Sequence, residues 1–103
     1  DKPMYGLVGK ITAKEGERDN LIEILLEGSA DMPGCLSYIV SKDTEDDNAL
    51  WITEVWENKE SHQSSISLPP VQEAMKKVRP LIADFNKQIE TAPVGGHGLV
   101  STE

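Results

Sequence analysis

The chain has 103 residues, a formal net charge of −8 and a single cysteine. That length fits one domain, and the acidity argues against a nucleic-acid partner, which needs a basic patch, and against an anionic membrane surface. Cys35 alone closes no intrachain disulfide and founds no cysteine-rich zinc site.

Met4 to Ala13 reads as a first strand, carried by Tyr5, Leu7, Val8 and Ile11. Gly6 and Gly9 interrupt it, and glycine inside a strand permits close approach of a backbone or a ligand. Lys14-Glu-Gly16 is a turn. From Glu17 to Ala30 the apolar residues Leu21, Ile24 and Leu25 recur at helical spacing, with acids at the N-terminal end, so a helix is expected there. Pro33 cannot continue it.

Cys35 to Lys42 reads as the second strand, with Cys35, Ser37, Ile39 and Ser41 on one face and Leu36, Tyr38, Val40 and Lys42 on the other. An acidic loop, 43–48, leads to a third strand from Ala49 to Trp56 or Glu57, which predicts an antiparallel hairpin. The loop lacks the spacing of a calcium-binding loop and reads as a solvated turn. Lys59 to Leu68 is expected to form a short helix stopped by Pro69-Pro70. A longer helix is expected from Val71 to Asn86, kinked at Pro80, with Val71, Ala74, Met75, Val78, Leu81, Ile82 and Phe85 as its apolar stripe. Gln88 to Val94 is a candidate final strand. Residues 1–94 are expected to form the domain and 95–103 a flexible tail.

The third strand holds the strongest functional signal. Alternation sets Leu50, Ile52, Glu54 and Trp56 on one face. An acid beside an indole on an apolar row is seldom a simple core feature. Structural and functional readings of Glu54 stay open, as do packing and pocket-lining readings of Trp56, whose N–H needs a partner when buried. His62, Tyr38 and Arg79 are further candidates, each also readable as an ordinary helix, strand or surface residue. No phosphate-binding loop, metal-spaced histidine cluster or Ser-His-Asp set stands out, so no cofactor is expected. The N-terminus lacks the apolar core of a signal peptide and apolar runs fall short of the ~18 residues of a spanning helix; the expected location is cytoplasmic.

The element order is β-α-β-β-α-β, a ferredoxin-like α+β arrangement with helices on one sheet face. Trp51 and Val55 lie on the other face, for which a second copy of the chain is the simplest cover, giving a homodimer through sheet faces.

The opening strand with Lys14-Glu-Gly16, Pro33-Gly34-Cys35 before the second strand, Glu54-Val-Trp56, and the following helix ending in Leu68-Pro69 together resemble the antibiotic biosynthesis monooxygenase (ABM) domain, over roughly residues 4–94. The resemblance implies a dimeric α/β-barrel with a pocket between sheet and helices in each subunit. It implies oxidation of a small phenolic or quinol compound by molecular oxygen, without metal or flavin. In that chemistry the enzyme binds the ring, aids its deprotonation and excludes water. Glu54, Trp56 and His62 would be the catalytic set, with Tyr38, Ile52, Ser65, Met75 and Arg79 around the substrate.

The chain departs from the family's pattern where relatives often carry histidines, at Ser65 and Pro70. His62 shares a helix face with Ser65 and is the available substitute. The haem-degrading branch needs an asparagine, a tryptophan and a histidine where this chain has Gly9, Ser65 and Met75, so haem degradation is not expected. Two other functions fit the same residues: an oxygen-independent isomerase of a small hydroxy-carbonyl compound, using Glu54 and His62 as acid and base, and a non-catalytic ligand-binding dimer.

Overall fold

The computed structural model describes residues 3–99. Four strands and three α-helices form a ferredoxin-like α+β fold. In chain order these are β1 (Tyr5–Ala13), α1 (Arg18–Gly28), β2 (Cys35–Lys42), β3 (Ala49–Trp56), α2 (Lys59–Ser65), α3 (Pro69–Val78), a 3₁₀ turn (Arg79–Leu81) and β4 (Ile82–Thr91). The sheet order is β2-β3-β1-β4, antiparallel at every pairing.

The register sorts side chains into rows that cross the sheet. One face carries Val40–Ile52–Gly9–Gln88 and Tyr38–Glu54–Leu7–Glu90, with Leu50 and Ile11 in the row beyond. Helices α1 and α3 pack over this inner face. Ala13, Leu21, Leu50, Ile52 and Val78 form the buried core, joined by half-buried Ile22, Ile24, Leu25 and Leu81. The outer face carries Ile39–Thr53–Val8–Ile89 across all four strands. Ile39 there is 53% exposed and Ile89 46%, so the face lacks the cover that the helices give the inner one.

Local chemistry explains where the elements start and stop. The Asn58 side chain accepts a hydrogen bond from the Ser61 amide at 2.8 Å and so caps α2. Pro69 and Pro70, expected to stop the short helix, instead open α3, where the missing N–H groups would have had no helical partner. Before β2, Gly34 adopts φ +84°, and a Cβ there would come within 2.6 Å of Ser61 on α2. The acidic loop is a braced turn. Asp43 accepts from the Glu45 and Asp46 amides and from Trp51 Nε1 at 2.9 Å, and Arg18 Nη1 donates to the carbonyls of Asp43, Asp46 and Ala49. The Trp51 indole first, then the two amides and the nearby Lys10 charge, hold the Asp43 carboxyl below its ordinary value. Among the described residues no group of acids, histidines and cysteine could hold a metal ion.

Three expectations are corrected. The helix expected over 71–86 ends at Val78, and the final strand begins at Ile82 rather than Gln88. Pro80 falls in the 3₁₀ turn, and the chain beyond it pairs with the edge of β1, whose backbone groups would otherwise lack partners. Phe85, expected in a helical stripe, is a strand residue and 70% exposed. Secondly, Cys35 does not share a face with Ser37. A register shift between them sets Cys35 opposite Trp56, on the inner face with Tyr38. Thirdly, the short helix stops at Ser65, three residues earlier than expected. Residues 95–99 of the expected tail form no helix or strand, and Asp1, Lys2 and 100–103 lie outside the described residues. No helix among the described residues is long and apolar enough to cross a membrane.

Helices α1 and α3 approach closely at Gly28, where a Cβ would lie 2.5 Å from the Ala74 Cβ. Gly28→Val must force the two helices apart, and overpacking of this kind costs about 1–3 kcal/mol. Urea unfolding of the variant is expected to show that loss with an unchanged m-value.

Candidate active site

Strand β3 ends with its acid and its indole on the inner face. Trp56 is 1% exposed, and an indole so buried needs an acceptor. Its Nε1 donates to Glu54 Oε1 at 2.9 Å. Alternation supplies this pairing, since residues two apart in a strand share a face. Burial pushes the half-buried Glu54 carboxyl above its ordinary value, and the Trp56 hydrogen bond and the neighbouring His62 oppose that shift.

Around Glu54 the fold assembles residues that are distant in the chain. Tyr38 stands directly across from it on β2, and burial, then the charges of Glu54 and Cys35, hold its phenol far above the ordinary range. Burial likewise raises the Cys35 thiol, helped by Glu54, so it is not a reactive thiolate at neutral pH. His62 of α2 lies between two aromatic rings, 5.4 Å from Trp56 in an edge contact and 5.3 Å from Tyr5. The Tyr5 hydroxyl donates to Glu90 Oε2 at 2.7 Å, and that bond, with burial and the charges of Glu90 and Glu54, pushes the phenol up to about 12. Lys59 stands 3.7 Å from the same carboxylate.

A cavity of about 410 Å³ opens beside Glu54 on the inner face. Leu7, Gly9 and Ile11 of β1 and Ile52 of β3 form its apolar part, and Phe85 to Gln88 of β4 form its outer wall. That volume and lining suit a small organic ligand. A second cleft of about 390 Å³ lies between Tyr5, Lys59 and Glu90.

Of the residues singled out in the sequence, Glu54 and Ile52 line the cavity. Trp56 holds Glu54, Tyr38 faces it across the ladder, and His62 packs on Trp56. Ser65 is buried, but its hydroxyl donates to the His62 carbonyl at 2.6 Å and so closes α2 locally. Met75 on α3 and Arg79 on the 3₁₀ turn are exposed, and neither lines the cavity. Phe85 and Asn86 escaped the sequence reading because their segment carries helical spacing, and Gln88 was expected only as the start of a strand. Gly9 did carry a signal, as a glycine within a strand.

With this geometry in view, the comparisons decide the family. The family model described as antibiotic biosynthesis monooxygenase matches residues 4–77. The chain belongs to that family. A Chloroflexus aurantiacus protein proposed to be an antibiotic biosynthesis monooxygenase has a crystal structure that is 58% identical, with 94% of this chain and 99% of that chain covered and a TM-score of 0.93. A Caulobacter crescentus structure with the same proposed assignment shares 15% identity over 91% of this chain and 92% of its own, at TM-score 0.83, a likeness of fold alone. An uncharacterised Synechocystis protein is 29% identical over 86 residues, covering 81% of this chain. The chain spans 58% of the length of that curated relative.

The raised pKa of Glu54 gives a pH test. A carboxyl whose folded pKa lies above its unfolded value favours the protonated form, so its stabilising effect is full below pH about 4 and is lost as pH rises through the folded pKa. Glu54→Gln keeps an acceptor for the Trp56 N–H and removes the charge. Thermal unfolding is expected to give the variant a midpoint a few degrees above wild type near neutral pH, with the two curves meeting in acid.

Proposed function

We propose that this ABM-family protein is a monooxygenase that inserts one oxygen atom from molecular oxygen into a small phenolic or quinol compound. The observation that carries the reading is the Glu54 carboxylate, fixed by Trp56 and half-withdrawn from water at the wall of a cavity with an apolar side, formed by Leu7, Ile11, Ile52 and Phe85, and a polar one, formed by Lys10, Asn86, Lys87 and Gln88. The family membership agrees with it.

In this reading the ring lies on the apolar wall and its hydroxyl donates to Glu54. A carboxylate with a raised pKa is a stronger base than an exposed one and takes more of the phenol proton. The electron-rich phenolate gives one electron to oxygen, the radical pair joins at a hydrogen-bearing ring carbon ortho or para to the oxygen, and the hydroperoxide loses water to leave a quinone. A phenol with hydrogen at that carbon plus O₂ thus gives quinone plus water, and the substrate supplies all the electrons. The reading therefore calls for neither metal nor flavin. His62, packed on Trp56, fixes the indole and through it the carboxylate.

One observation favours a second reading. His62 acts electrostatically on Glu54, so the pair could serve proton transfer in a hydroxy-carbonyl isomerase. Oxygen uptake separates the two. Purified protein, with autoxidation subtracted, is expected to consume oxygen in the presence of small hydroquinones and naphthols. Glu54→Gln is expected to lower that rate by about 10²–10⁴-fold, the ordinary contribution of a positioned base, and Trp56→Phe to lower it by a smaller factor with the fold intact. Equal turnover with and without oxygen would establish the isomerase instead.

The same reading includes a homodimer in which the outer faces of two sheets meet over the Ile39–Thr53–Val8–Ile89 row. A charge in that row would be buried at the contact. Sedimentation is expected to show a dimer at micromolar concentration for wild type and a monomer for Ile39→Lys. A wild type that sediments as a monomer would remove the dimer.

A further inference from the structure

Strand β1 carries two glycines on opposite faces, and only one has a structural reason. At Gly6 a Cβ would run into Thr91 Oγ1 and approach Pro93 Cγ to 3.0 Å, so packing against the end of β4 excludes any side chain. At Gly9 a Cβ would meet one atom within 4 Å, the Lys87 carbonyl oxygen at 3.5 Å, an ordinary contact. Gly9 does not adopt positive φ either. Neither backbone nor neighbours require glycine there, and glycine weakens a strand interior.

Its place in the sheet supplies a reason. Gly9 lies between Ile52 and Gln88 in its row, with Leu7 and Ile11 two residues away on the same face. All five line the cavity beside Glu54. Gly9 is therefore the low point of a floor whose other positions carry side chains. Phe85, 70% exposed, stands on the wall of the same cavity.

We propose that Gly9 is the specificity-determining residue of this pocket: its bare backbone admits flat, fused-ring hydroxyaromatics to Glu54, and any side chain there would restrict the site to single rings. The inference rests on the phenol-binding reading above and adds which residue sets the size limit. A side chain at position 9 fills the place where a second ring lies, while a single ring at Glu54 is left its space.

The test is binding, measured under argon by quenching of tryptophan fluorescence, with hydroquinone, naphthohydroquinone and anthrahydroquinone as one-, two- and three-ring probes. Wild type is expected to bind the fused-ring probes. Gly9→Val is expected to weaken those two by about tenfold or more, the effect of a misplaced methyl or methylene in a tight pocket, with little change for hydroquinone. Gly9→Ala is expected to show a smaller effect with the same size dependence, and is scored alone if the valine variant does not fold. The thermal midpoint of Gly9→Ala is expected to equal or exceed that of wild type. Equal affinities in variant and wild type across the series, or a parallel loss for all three probes, would overturn the proposal. So would unfolding of both variants, or a wild type that binds none of the probes. Size-dependent binding without oxygen uptake would support the role of Gly9 and remove the monooxygenase reading.

Discussion

A carboxylate half-withdrawn from water needs a donor, and a buried indole needs an acceptor; in this chain Trp56 and Glu54 meet both needs with one hydrogen bond of 2.9 Å. The bond ties the site's only cavity-lining acid to a side chain that is itself 1% exposed, so the acid inherits the rigidity of the core. It also balances the electrostatics. Desolvation alone would drive Glu54 toward the neutral form, and the indole N–H moderates that drive. The Glu90 hydrogen bond raises Tyr5 and burial raises Tyr38 and Cys35, and the charge of Glu54 adds to each of these shifts.

The sheet divides the work of the molecule. Its inner face changes character along the strands. Toward the Leu50 row it is a sealed apolar core beneath α1 and α3, and toward the Glu54 row it opens into the cavity. Strand β4 contributes the outer wall of that cavity and leaves almost all its residues exposed, so the site is firm on the β3 side and open on the β4 side. Among the described residues no helix covers the outer face, which carries the Ile39–Thr53–Val8–Ile89 row across all four strands.

Much of the fold was legible in the sequence because β1 to β3 show clear strand alternation and α1 shows clear helical spacing. The β2 boundaries agree with expectation at both ends. The segment after Val78 was not legible. Val78, Leu81, Ile82 and Phe85 keep a helical period, and only the unpaired edge of β1 turns that segment into a strand. The bulge at the start of β2 was hidden for a related reason. Strict alternation places Cys35 with Ser37, whereas pairing with β3 sets it opposite Trp56.

By itself the sequence determined the ferredoxin-like order, the common face of Ile52, Glu54 and Trp56, and the family pattern, because each follows from local periodicity or adjacent residues. Only the tertiary structure decided what surrounds that face. It brought Tyr38 across from Glu54, His62 onto Trp56, and Gly9 and Phe85 into one cavity. It also left Met75 and Arg79 off the cavity wall and turned the Ser65 hydroxyl onto its own helix. Those relations depend on strand register and on how helices seat against the sheet, and both are set by long-range pairing and packing that no local spacing encodes.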